Sequence, residues 1–100
     1  MKNKEQNKVV GELDPKLTLY NNEFCMECRV VREKLAELQL SYYCINVNPI
    51  KTNRHNVFKL TGQYLVPVLV DGEKLLTASD NILEYLVIHY GKQAIRPMKY

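Results

Sequence analysis

The stretch Leu17-Thr18-Leu19-Tyr20-Asn21-Asn22-Glu23-Phe24-Cys25-Met26-Glu27-Cys28-Arg29 decides how this chain is read. Its front is short and mostly apolar. Beyond it the period changes: Val31, Leu35 and Leu38 recur at helical spacing, with Arg, Glu and Lys between them. A C-x-x-C pair therefore stands where a strand hands over to a helix. Residues three apart in a first helical turn face the same side, and a Cα separation of about 5–6 Å suits a disulfide. A helix N-terminus also offers N–H groups and partial positive charge, which favour a thiolate over a thiol. Cys25, nearer the exposed helix end, is the expected nucleophile, and Cys28 the thiol that resolves by attacking the Cys25 sulfur. A reduced, inert pair, or half of a metal site, is the alternative.

Outward from this motif, 100 residues predict a single domain with one core. Apolar residues make up 46% and charged residues 25%, a globular rather than disordered balance. The net charge of +3 raises nucleic acid as a partner, but Lys92, Arg96 and Lys99 supply all of it, and Lys16 to Tyr90 is balanced. A basic tail without a basic stripe or interleaved aromatics argues against nucleic acid. Three cysteines, two of them in C-x-x-C, do not make a secreted disulfide framework. The polar opening lacks an apolar signal core, and no run approaches the ~18 apolar residues of a membrane span. The expectation is a cytoplasmic protein with no membrane partner, in which a disulfide is transient and catalytic.

Residues 1–15 are expected to form a flexible tail, 16–91 the domain, and 92–100 a basic tail. Within the domain, Lys16 to Tyr20 reads as a strand, Met26 to Gln39 as a helix and Tyr42 to Val47 as a second strand. Lys51 to Leu60 is a weaker helical stretch, stopped by Thr61-Gly62. Leu65 to Val70 is a strand carrying Pro67, joined by the hairpin signal Asp71-Gly72 to a partner at Glu73 to Leu76. The last helix begins at Ser79-Asp80, points Ile82, Leu83, Leu86 and Val87 inward, and has Gly91 as its stop. The order β-α-β-α-β-β-α, with a right-handed βαβ unit and a hairpin, predicts an α/β domain: a four-stranded mixed sheet with helices on both faces.

Pro67 has two readings. An X-Pro bond tolerates the cis form, and a cis turn would aim the N–H and C=O of Val66 at an extended peptide, docked like an added strand. Otherwise it is an edge-strand proline. Ser79-Asp80 also has two. The N–H groups of a helix start suit a carboxylate and the Asp80 side chain an ammonium; alternatively Ser79 simply caps the helix. Cys44, between Tyr43 and Ile45, reads as a buried small hydrophobe. Tyr64 and Tyr85 line the site or pack, and His55 and His89 lack ligand spacing.

Three pieces together resemble the thioredoxin fold, and within it the glutaredoxins and the N-terminal domain of glutathione S-transferases. They are Leu19-Tyr20 with Phe24-Cys25-Met26-Glu27-Cys28, then Gly62-Gln63-Tyr64-Leu65-Val66-Pro67, then Thr77-Ala78-Ser79-Asp80-Asn81-Ile82-Leu83-Glu84-Tyr85-Leu86, the last closer to the transferase version. The resemblance implies a cis proline at Pro67 and a glutathione site at Gln63, Val66, Pro67, Ser79 and Asp80. It implies a glutathione-dependent thiol–disulfide oxidoreductase with Cys25 and Cys28 catalytic, glutathione as co-substrate, no permanently bound cofactor and no metal. Its partners would be disulfide-containing or glutathionylated proteins, and a monomer is expected. The pattern departs at Met26-Glu27, which replaces Pro-Tyr, at Asn22, which stands where many glutaredoxins have a lysine, and at Thr77-Ala78, which replaces Gly-Gly. Gln63, Lys59 or Arg54 could compensate for the missing lysine. The competing readings are a carrier of a glutathione-ligated iron–sulfur cluster and a non-catalytic thioredoxin-fold binding module. A complete transferase is not expected, because the sequence ends where that family's helical second domain would begin.

Overall fold

A computed structural model describes residues 15–91. Of the two tails read from the sequence, 1–15 and 92–100, all residues but Pro15 lie outside the described residues. The chain runs β1 (Leu17–Asn21), α1 (Met26–Glu37), β2 (Tyr42–Asn46), a 3₁₀ turn (Lys51–Asn53), α2 (His55–Thr61), β3 (Val68–Asp71), β4 (Lys74–Thr77) and α3 (Ser79–Tyr90). The strands form one sheet in the order β2-β1-β3-β4, parallel between β1 and β2 and antiparallel elsewhere. This is the expected mixed sheet and element order.

Period-two alternation divides the core. Leu17 and Leu19 of β1 and Leu69 of β3 face α1 and α3, meeting Val31, Leu35, Ile82 and Leu86. The opposite face carries Tyr20 and Val68, which pack with Val57 of α2, Val66 and Val47. Helices therefore cover both faces, with α1 and α3 sharing one.

Several boundaries differ from expectation, each for a local reason. α1 stops at Glu37 because Gln39 takes a left-handed φ of 60°, with the Leu40 N–H on the Leu35 carbonyl and the Gln39 N–H on the Ala36 carbonyl. That closure normally uses glycine, so nothing in the sequence announced it. At α2 the sequence signal is plain: Gly62, at φ 80°, caps the helix with its N–H on the Phe58 carbonyl. Gly91 does not take the left-handed role expected of it and sits at φ −61°. Val87, expected inward, is exposed, and so is Cys44. Cys44 is exposed because β2 is a sheet edge, a matter of strand order that hydrophobic period does not report.

A buried polar anchor, Asp71, ties the last helix to the hairpin. Asp71 accepts hydrogen bonds from the hydroxyls of Tyr85 (2.7 Å) and Tyr90 (2.6 Å), tying α3 to the hairpin, and Lys16 lies 3.6 Å away. Burial pushes the Asp71 carboxyl up, but the two hydroxyls and Lys16 outweigh it and leave it below the usual range. Its charge pushes Tyr85, itself raised by burial, to about 12. Tyr85 thus belongs to the frame and not to the site.

Candidate functional site: a thiol pair beside a proline-walled cleft

β1 ends on Asn21, fully buried, whose side chain gathers three elements. Its Nδ2 donates to Asn46 Oδ1 of β2 (2.9 Å) and to Glu23 Oε1 (3.3 Å), while its Oδ1 accepts from Arg32 Nη1 of α1 (2.7 Å). Arg32 also pairs with Glu23 at 3.5 Å. Asn22 then shapes the turn into α1. Its side-chain oxygen accepts from the Phe24 N–H (3.0 Å), its carbonyl accepts from the Cys25 N–H (3.0 Å), and its own N–H points at Cys28 Sγ (3.4 Å). The residue standing in place of a lysine is thus the turn's organiser.

Cys25 occupies the N-cap position of α1 in extended backbone (φ −92°, ψ 124°) and makes no side-chain cap bond. It is partly exposed and packs against the cluster of Cys28, Val47, Val57, Val66 and Val68. Cys28, one turn in, is fully buried. Burial pushes its thiol up to about 12; a hydrogen bond to the Cys25 sulfur and that sulfur's charge add to this, while the Asn22 N–H and Arg32 pull it down. The two thiols, alike in sequence, are therefore unlike in reach, and burial tightens the hold of Cys28 on its proton.

The Val66–Pro67 peptide is cis, as the resemblance implied. Pro67 does not sit inside the strand: β3 begins after it, at Val68. Among the described residues, no hydrogen bond uses the Val66 N–H or C=O. A cleft of about 180 Å³ opens here, lined by Gln63, Leu65, Val66 and Pro67 on one side, Thr77 and Ala78 on another, and Glu27 of α1. Of the residues expected to bind, Gln63, Val66 and Pro67 line it. Ser79 and Asp80 do not, but follow directly on Ala78, and neither cysteine is a lining residue.

Ser79 is not the cap of α3. That position belongs to Ala78, which makes no side-chain bond and has φ 73°, ψ 133°, a region L-residues rarely occupy. The first helical bond runs from the Ile82 N–H to the Ala78 carbonyl, so the N–H groups of Ser79, Asp80 and Asn81 have no partner within the helix. An uncapped helix start beside a cleft suits an anion.

Arg54 does not add charge to the site. It is buried, donating to the carbonyls of Asn48 (2.8 Å), Tyr64 (3.1 Å) and Pro49 (3.4 Å). It braces the Tyr64 end of the cleft wall, while Tyr64 stacks on Phe58 with centroids 4.7 Å apart. Lys59 is exposed and does not line the cleft. Sequence reasoning missed the anchors Asn21 and Arg54; their types predict exposure, and only the contacts of a folded chain reveal them. Among the described residues, no three His, Cys, Asp or Glu side chains converge as a metal site, and no helix is long and apolar enough to cross a membrane.

Comparison with known proteins places this geometry. The family model described as "Glutathione S-transferase, N-terminal domain" matches residues 19–94. No curated protein matches the sequence. Among solved structures, a glutathione transferase homolog from Drosophila mojavensis with bound glutathione is 37% identical, with a TM-score of 0.72 over 77% of this chain and 36% of that one. Glutathione transferase E6 from Drosophila melanogaster is 33% identical, with a TM-score of 0.69 over 75% of this chain and 35% of that one. A Bombyx mori glutathione transferase is 30% identical, with a TM-score of 0.71 over 80% and 38%. The chain spans little more than a third of the length of these structures. All of its thioredoxin-like sheet but Leu17 and Thr18, the cis proline and the uncapped α3 start fall within the matched region, and the chain belongs to the glutathione S-transferase N-terminal-domain family.

Proposed function

We propose that this domain binds glutathione and carries out thiol–disulfide exchange at Cys25. The observation that carries the reading is the asymmetry of the pair: Cys25 partly exposed at a helix start, Cys28 buried beneath it with its thiol pushed up to about 12. The glutathione bound in the Drosophila mojavensis structure supports the same ligand here.

The cysteinyl part of glutathione would lie along Val66, using its unclaimed N–H and C=O as a strand edge does. The γ-glutamyl carboxylate would take the N–H groups at the start of α3, and Asp80 would face the ammonium. Gln63 would reach the glycyl end. In the reaction, the Cys25 thiolate attacks one sulfur of a disulfide, forms a mixed disulfide and expels the other half as a thiolate, which takes up a proton. With Cys25 so consumed, the Cys25 sulfur no longer adds to the rise of the Cys28 thiol, although burial still raises it. Cys28 then attacks the Cys25 sulfur, its proton passes to the departing sulfur, and the second half leaves as a thiol. Two electrons pass from the dithiol to the substrate, and two molecules of glutathione restore the dithiol. Disulfide-containing or glutathionylated proteins are the proposed protein partners.

The test is reduction of a glutathionylated peptide with glutathione as donor. Cys25→Ser should abolish turnover, and Cys28→Ser should retain the glutathione mixed-disulfide reaction while losing the dithiol route. Equal rates for wild type and Cys25→Ser would end the proposal. The matches to transferases favour a second reading, conjugation of glutathione to an electrophile, in a longer protein of which this domain holds the thiol. Conjugation of chlorodinitrobenzene that survives Cys25→Ser, without peptide reduction in wild type, would select it.

A further inference from the structure

Glu27 is the one charged side chain among the residues lining the cleft. Its neighbours on α1 are committed elsewhere: Arg29 to Glu33 at 3.0 Å, Arg32 to Asn21 and Glu23, and Lys34 to Glu37 at 2.8 Å. Among the described residues, no ion pair or side-chain hydrogen bond engages Glu27. Arg54 is spent on loop carbonyls. The cleft wall, which includes the residue two positions after Cys25, thus carries a carboxylate that has no ion-pair partner among the described residues. Around it the surface is apolar: Phe24 is 92% exposed, Met26 64% and Leu65 53%. A substrate seated in this cleft meets that carboxylate together with the apolar Leu65.

We propose that Glu27 makes this site selective for disulfides that carry positive charge near the sulfur, a specificity that rests on the exchange chemistry proposed for Cys25. A cation close to Glu27 gains attraction in the encounter and in the mixed disulfide, and an anion meets repulsion. For unit charges near a protein surface, screened by solvent, this amounts to about three- to tenfold in rate. The same charge in the first turn of α1 also suits the helix start, which is its ordinary structural role. A structural role alone predicts no dependence on substrate charge.

The experiment follows oxidation of the reduced protein by three small disulfides: cystamine (dication), bis(2-hydroxyethyl) disulfide (neutral) and dithiodiglycolate (dianion). Each rate is divided by that for the neutral compound, and wild type is compared with Glu27→Gln, so that the intrinsic reactivity of each disulfide cancels. Glu73→Gln is the control for net charge, because the register places its hairpin at the opposite end of the sheet from Cys25. In Glu27→Gln the cystamine ratio should fall about three- to tenfold and the dithiodiglycolate ratio should rise, with wild type losing its preference at 1 M salt. Glu73→Gln should match wild type. Glutathionylated peptides with lysine or glutamate flanking the cysteine distinguish basic protein segments from small cationic disulfides as the source; a Glu27-dependent preference in either arm supports the proposal. If the neutral compound oxidises both proteins and the ratios do not change, the inference fails and the exchange reading stands. If none of the three oxidises the wild type, the exchange reading fails with it.

Discussion

Cys28 offers the sharpest physical prediction, because the claim that it is the protected partner can be given a number. Its thiol, ordinarily near 9.0, is pushed up to about 12 by burial and by the Cys25 sulfur. At pH 8 a thiol of the ordinary value is roughly one-tenth thiolate, whereas one at 12 is about one ten-thousandth. Iodoacetamide reacts with the thiolate, so in molecules whose Cys25 is still unlabelled, Cys28 in the folded, reduced protein should label about a thousandfold more slowly than in the same protein unfolded in urea. Its complete burial adds to that protection. The sign with pH is also set: the folded-state value is raised, so labelling of Cys28 in the native protein should climb about tenfold per unit from pH 8 to 11. In the unfolded chain it should level off above pH 9. Quenched alkylation, followed by digestion and fragment-ion assignment, separates Cys25 from Cys28. Cys28 labelling within tenfold of the unfolded rate at pH 8 would refute the asymmetry on which the proposed mechanism stands.

Other expectations follow from the anchors. Asp71→Asn removes a buried charge that accepts two tyrosine hydroxyls, and should cost about 2–4 kcal/mol in urea unfolding at pH 7. Because the Asp71 carboxyl is held low, its contribution is present above the unfolded value of 3.8 and fades as pH falls through the lower folded value. Wild type should therefore lose more stability than Asp71→Asn between pH 5 and 2. Arg54→Lys cannot reproduce a planar guanidinium serving the Asn48, Tyr64 and Pro49 carbonyls, and should lose about 2–3 kcal/mol by the same assay. Ala78→Gly relieves a φ of 73° and should raise the unfolding free energy by about 1 kcal/mol; a loss would show that the cleft wall does not strain this residue. Gly62→Ala, at φ 80° with open space around the added carbon, should cost about 1 kcal/mol through backbone conformation alone.

What could be read without coordinates was whatever local chemistry encodes. The apolar run into C-x-x-C, the Asp71-Gly72 turn and the Gly62 cap each carry their own signal, and β1, α1, the hairpin and the end of α2 formed where those signals stood. The cis form of Val66-Pro67 was legible through the resemblance that the Gly62-to-Pro67 segment carries. What depends on neighbours was not legible. The exposure of Cys44 follows from β2 lying at the sheet edge, and the end of α1 at Gln39 lacks the usual glycine. Asn21 and Arg54 are buried because other elements supply their partners. Glu27 was visible as part of the departure from Pro-Tyr between the cysteines, but that it lines the cleft, with no ion-pair partner among the described residues while its α1 neighbours have theirs, emerged only from the fold.

The central claim is that one sulfur, at Cys25, meets the substrate. It is tested most directly by exposing the reduced Cys28→Ser protein to oxidised glutathione at neutral pH and mapping the adduct by mass spectrometry. A single glutathione on Cys25, formed well before any on Cys44, is the predicted result. Modification of Cys44 first, or of neither cysteine, would contradict it.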